Sequence, residues 1–294
     1  MTNDIFSPSR FALYVKQYAG ENKKKLIQMV LTIVGTMIFV AAIFPILNGS
    51  YYFPSHYTPS HYLDPMWEKE TTVFWIFLFT FACVAAAGAF ISYDTKIKRI
   101  SALTFPASNL EKYLTYILFY GIAIYATFFV GLIVADYIRV WTAPIYAVEG
   151  AVIEPLPLTY FFSFGHLVGD ERDAMLYYDA ESVAAMRMFA FTGIITLQSF
   201  FFLAASIWPK NARLRGVLSL IGITIVLNLI TYLAMKIFIN IHGISFTFRF
   251  DNEMSDLGFE TFTTIVYTIG IIVTIGFYLL SYKRFKEMES IERW

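Results

Sequence analysis

His56 and His61 are the first histidines of the chain, and imidazole suits metal chemistry. Two imidazoles five positions apart, with only Asp64 near them, do not make the three or four donors that a zinc site needs. Residues 48–72 read better as an aromatic loop rich in Tyr, His, Pro and Trp. Asp170, Glu171, Asp173, Asp179 and Glu181 form an acidic group. They lack the D-x-D-x-D-G order of a calcium loop and read as a solvated acidic face. There is no G-x-S-x-G nucleophile elbow, no G-x-x-x-x-G-K-[ST] phosphate loop and no paired His and carboxylate on an apolar helix. No catalytic residue, metal ligand or bound cofactor is therefore assigned to this chain.

The polar groups that remain sit in apolar surroundings. Gln198 and Asn228 lie inside hydrophobic runs, where an amide without water must find a partner. Both are expected to hydrogen-bond between helices. Ser108-Asn109-Leu110-Glu111 is a different kind of signal. Ser at an N-cap and Glu three residues later satisfy each other's backbone N–H groups, so this tetrapeptide starts a helix near Asn109. Pro106 biases Phe105 to extended geometry and forces a break just before it.

The elements that must position these residues are six apolar stretches, about 26–47, 73–91, 113–135, 188–208, 217–235 and 262–282. None holds an Asp, Glu, Lys or Arg. A helix rises about 1.5 Å per residue, so roughly 20 such residues cross a 30 Å hydrocarbon layer. Backbone groups in lipid must be satisfied within the segment, and without strict alternation that means helices rather than a barrel. Only 15% of residues are charged, well below the roughly 25% of a soluble domain, and mean hydropathy is +0.59. The expectation is an all-α polytopic membrane protein: a tail over 1–25, a six-helix domain over 26–282 and a C-tail over 283–294. Cys83, the single cysteine, lies in the second stretch and reads as a small packing residue.

Net charge is zero, but its distribution is lopsided. With the N-terminus inside, only Lys69, Arg139, Arg172, Arg187, Lys236 and Arg249 of the 22 basic residues fall outside. The positive-inside rule then puts both termini in the cytoplasm. Ser7-Pro8 marks a helix start, and Phe11, Tyr14, Val15 and Tyr18 recur on one face. With Lys23, Lys24 and Lys25 following, this is expected to be an amphipathic helix lying on the inner leaflet.

Between the second and third stretches, Arg99-Ile100-Ser101-Ala102-Leu103-Thr104-Phe105-Pro106-Ala107-Ser108-Asn109-Leu110-Glu111-Lys112-Tyr113 is short and bounded by breaks. On its residues alone it fits either a force-receiving element or an ordinary connection. The run resembles a segment of ABC-2-type transporter permeases, above all the small six-span permease-like proteins of the Bacteroides group. The resemblance implies a membrane subunit of an ATP-binding-cassette exporter in the cytoplasmic membrane. Residues 94–112 would dock on a separate ATPase subunit, with Arg99, Phe105, Pro106, Ser108, Asn109, Glu111 and Lys112 as coupling residues. ATP would be used by that partner, and a second permease chain, identical or related, would complete the unit. Nothing in the chain points to nucleic acid. Two features depart from that pattern: the mixed, polar 240–261 connection and the long outer connection over 139–185. A non-transporting scaffold or sensor with acidic outer loops is the alternative.

Overall fold

The computed structural model describes residues 6–47, 67–93, 106–145, 147, 153–162, 180–242 and 256–290. Among them there are helices and turns and no strand. Helix α1 is Pro8–Glu21, α2 Lys23–Leu47 and α3 Trp67–Ala87. Next come α4 Asn109–Ile117, a π-helical turn Leu118–Ile122 and α5 Ala123–Thr142, which form one rod. A short α6, Leu158–Phe161, precedes α7 Ala180–Ile207, α8 Ala212–His242 and α9 Asp256–Ser290.

Among the described residues five helices are long and apolar enough to cross a membrane: Lys23–Ile43, Glu70–Ala87, Asn109–Ile145, Ala212–Ile230 and Thr264–Met288. The stretch expected over 188–208 falls in α7, whose apolar part, Phe191–Ile207, is shorter than these. The second stretch also differs from expectation. Its helix stops at Ala87, and a turn over Gly88–Phe90 brings Phe90 and Tyr93 into the core, both fully buried. Ile91 is therefore not the end of a span.

Two close helix pairs organise the molecule. In the first, Lys25 meets Tyr120, and further along Gly131 lies against Val34 and Met37, so α2 and the α4–α5 rod run parallel. In the second, Thr196 bonds to Thr274, Phe200 meets Phe277 and Ser281 bonds to Phe202, so α7 and α9 run parallel too. Each parallel pair needs a helix between its members that returns the chain. Helix α3 does this for the first pair and α8 for the second. The two return helices differ in setting. Helix α3 is packed among α2, α5 and α7, whereas α8 touches α7 and α3 near its start and is exposed on every side over residues 221–230.

Glycine makes the close approaches possible. A Cβ on Gly131 would lie 3.0 Å from Met37 Sδ, and one on Gly270 would lie 2.7 Å from Thr192 Cγ2. Small residues let helix backbones approach where lipid supplies no hydrophobic drive for association. Between α7 and α8, Asn211 takes a left-handed φ of 63°, which its short polar side chain tolerates. The turn Trp208–Asn211 is tight, and Arg213 and Arg215 already belong to α8.

Candidate functional site

The helix start read from Ser108 and Glu111 is present. Glu111 N–H donates to Ser108 Oγ at 3.2 Å, and Ser108 N–H donates to Glu111 Oε2 at 2.9 Å. The same carboxylate also holds α1. Ser7 N–H donates to Oε1 at 2.8 Å, and Arg10 Nε donates to Oε2 at 2.7 Å. Glu111 is completely buried, while Arg10 remains about a third exposed. One side chain thus fastens the first turn of α1 to the first turn of α4, where the chain arriving from residue 105 enters the rod.

The apolar face of α1 is not turned to lipid as expected. Tyr14 and Tyr18 are buried, Phe11 and Val15 are half-buried, and Tyr18 lies edge-on to Tyr116 at 5.3 Å. That face packs on α4. Beyond it, Tyr18 and Tyr120 share a hydroxyl contact of 3.2 Å, and Lys25 Nζ donates to the Tyr120 oxygen at 2.7 Å. Phe90, Tyr93, Tyr113, Tyr116 and Phe285 form a continuous aromatic cluster that joins α4 to the end of α9. Tyr113 also donates to the Tyr278 carbonyl at 2.8 Å.

Of the residues expected in this segment, Pro106, Ser108, Asn109, Glu111 and Lys112 are placed at the α4 start, with Lys112 buried. Arg99 and Phe105 lie outside the described residues, as do His56, His61 and the acidic residues 170–179. Gln198 lies between helices. It accepts from Tyr125 O–H at 3.0 Å and donates to the carbonyls of Tyr120 at 3.3 Å and Gly121 at 3.5 Å. Those carbonyls sit in the π-helical turn, where the regular ladder is interrupted and oxygens need another donor. Asn228 differs from expectation. It is exposed and donates at 2.8 Å to Thr224 O on its own helix, so it makes no interhelical bond among the described residues.

Sequence reasoning missed a buried ionic cluster at the other end of the rod. Arg139 is fully buried; its Nε lies 2.6 Å from Glu70 Oε2, and its Nη2 lies 2.9 Å from Asp136 Oδ1. Nη2 also donates to the Glu154 carbonyl at 2.7 Å, and Leu156 N–H donates to Asp136 Oδ2 at 2.7 Å. Trp67 Nε1–H donates to that carbonyl at 3.0 Å, and Trp75 stacks on Phe161 at 4.8 Å. Residues 153–162 are therefore pinned onto α3 and α5. The stretches over 73–91 and 113–135 hold no charged residue, and the cluster sits just beyond one end of each. The available signal was Asp136-x-x-Arg139, one helical turn apart, beside Glu70 in the first turn of α3.

Comparison with family models, curated proteins and solved structures finds no match. Function is therefore argued from the junction itself. Among the described residues there is no group of three or more His, Cys, Asp or Glu able to hold a metal. The chemistry on offer at Glu111 is mechanical attachment.

Proposed function

We propose that this chain is the membrane-spanning subunit of an ATP-driven exporter of ABC-2 type. It would cross the cytoplasmic membrane with six helices and keep both termini in the cytoplasm. ATP would be bound and hydrolysed by a separate subunit docked on residues 94–112. The observation that carries the reading is the position of Glu111. A push on the segment entering α4 would reach α1 through Ser7 and Arg10, and α2 through Tyr18, Tyr120 and Lys25. Packed helices move as bodies between discrete arrangements rather than deforming smoothly, so a force at one helix start can shift a whole pair. The uncovered α8 is consistent with a second permease chain alongside.

The test is association and coupling. Tagged chain extracted in mild detergent is expected to co-purify with an ATPase bearing a phosphate-loop motif. Phe105→Ala and Arg99→Ala are expected to lower ATPase activity of the complex about tenfold at equal chain abundance. Absence of any associated ATPase, or unchanged turnover in both variants, removes the proposal.

A further inference from the structure

A cavity of about 510 Å³ opens between α2, α3, the π-helical turn and the start of α8. That volume falls within the roughly 300–1,000 Å³ of small-molecule sites. Its α2 wall is Lys25, Gln28, Met29, Thr32 and Ile33, spaced to share one helix face. Its α3 wall runs from Thr80 to Ala85 at the same kind of spacing, with Gly88 just past the helix end. Arg213 closes the mouth from α8; a Cβ on Gly88 would lie 3.7 Å from Arg213 Nη2.

The lining is graded. At the mouth are Lys25, Arg213 and Gln28, with the Tyr120 hydroxyl held by Lys25. No carboxylate lines the cavity, and none pairs with Lys25 or Arg213 among the described residues. Deeper in, the two threonines have used their hydroxyls: Thr32 donates to Gln28 O and Thr80 to Ile76 O, each at 2.8 Å. With those hydroxyls engaged and Ile33, Phe81 and Ile124 alongside, this end of the lining is apolar. A shallower groove of about 460 Å³ shares Gln28 and Thr32 and adds Lys24 with Ile27 and Leu31.

Two cations with no carboxylate partner among the described residues, over an apolar floor at the end of membrane helices, complement the charge and polarity pattern of an anionic amphiphile. We infer that this cavity binds an anionic phospholipid from the leaflet adjoining Lys23–Lys25. Its phosphate lies between Lys25 and Arg213, and the start of an acyl chain lies against Ile33, Phe81 and Ile124. The shallower groove along Lys24 and Leu31 takes the second chain. A membrane-surface Lys or Arg contributes about 1 kcal/mol toward an anionic headgroup, and the walls select a chain-bearing ligand over a soluble anion. The site stands whether or not an ATPase drives the chain.

The test uses the full chain in detergent, titrated with dioleoyl phosphatidylglycerol or dioleoyl phosphatidylcholine while the thermal unfolding midpoint is followed. Phosphatidylglycerol is expected to raise the midpoint and phosphatidylcholine to have little effect. In K25Q/R213Q the half-saturating concentration of phosphatidylglycerol is expected to rise about thirtyfold, the combined effect of two such cations. Lys283→Gln with Lys286→Gln removes the same charge from exposed positions on α9 and is expected to leave the titration unchanged. Thr32→Phe keeps both cations and fills the shared wall; it is expected to abolish the shift, and it tests the site if K25Q/R213Q fails to fold. Equal response to the two lipids overturns the inference, as does an unchanged titration in K25Q/R213Q or, where that variant does not fold, in Thr32→Phe. A shift reproduced by inorganic phosphate alone assigns the mouth to a soluble anion and overturns the lipid assignment.

Discussion

Glu111 accepts hydrogen bonds from Ser7, Arg10 and Ser108, so its removal loosens two helix starts at once. Losing a helix cap costs about 1 kcal/mol. A charge-assisted hydrogen bond is worth about 1.5–3 kcal/mol. Glu111→Ala is therefore expected to destabilise the folded chain by about 2–4 kcal/mol, measurable as a lower thermal midpoint in detergent. Arg139 is the harsher position. Arg139→Leu leaves the Glu70 and Asp136 carboxylates buried without their cation, a loss of about 3–5 kcal/mol. Arg139→Lys is expected to rescue little, because one ammonium cannot reproduce a fork that reaches Glu70, Asp136 and the Glu154 carbonyl together.

Close contact between parallel helices makes Gly270 sensitive. Gly270→Ala would press a methyl onto Thr192 Cγ2, and overpacking of this kind costs about 1–3 kcal/mol. Thr192→Ser removes that methyl, so the double variant is expected to recover most of the thermal midpoint lost by Gly270→Ala. Elements of this kind were only partly legible in the sequence. The capping box was legible because Ser108 and Glu111 are three residues apart and their interaction is local. The apolar helices were legible because lipid demands a long run of one character. What hid was everything set by packing between distant residues: the burial of Tyr14 and Tyr18 on α4, the turn at Gly88 and the meeting of Glu70 with Arg139. Asn228 shows the same limit from the other side. An amide in an apolar run signals a need for a partner, and a carbonyl four residues back in its own helix meets that need without a second helix.

Two parallel helix pairs, α2 with α4–α5 and α7 with α9, are joined through α3, the Phe90–Phe285 aromatic contact and the Tyr113–Tyr278 bond. Gln198 adds a direct link from α7 to the rod through Tyr125 and the Tyr120 and Gly121 carbonyls, and motion of one pair against the other would have to work through these connections. Tyr113→Phe is expected to alter any coupling between the pairs more than it alters the stability of either. If six helices cross the membrane, the Arg10 end of α1 and the Lys286 end of α9 share a compartment, and Glu154 faces the other. Cysteines placed at Ser9, Lys286 and Glu154 read this directly: the first two are expected to react from one side and the third from the opposite side. Cys83 makes the measurement simple. It is the single thiol in the chain and is buried among the helices, closed to an impermeant maleimide. The natural protein is therefore already a silent background for site-directed labelling, and each introduced thiol will carry its own signal.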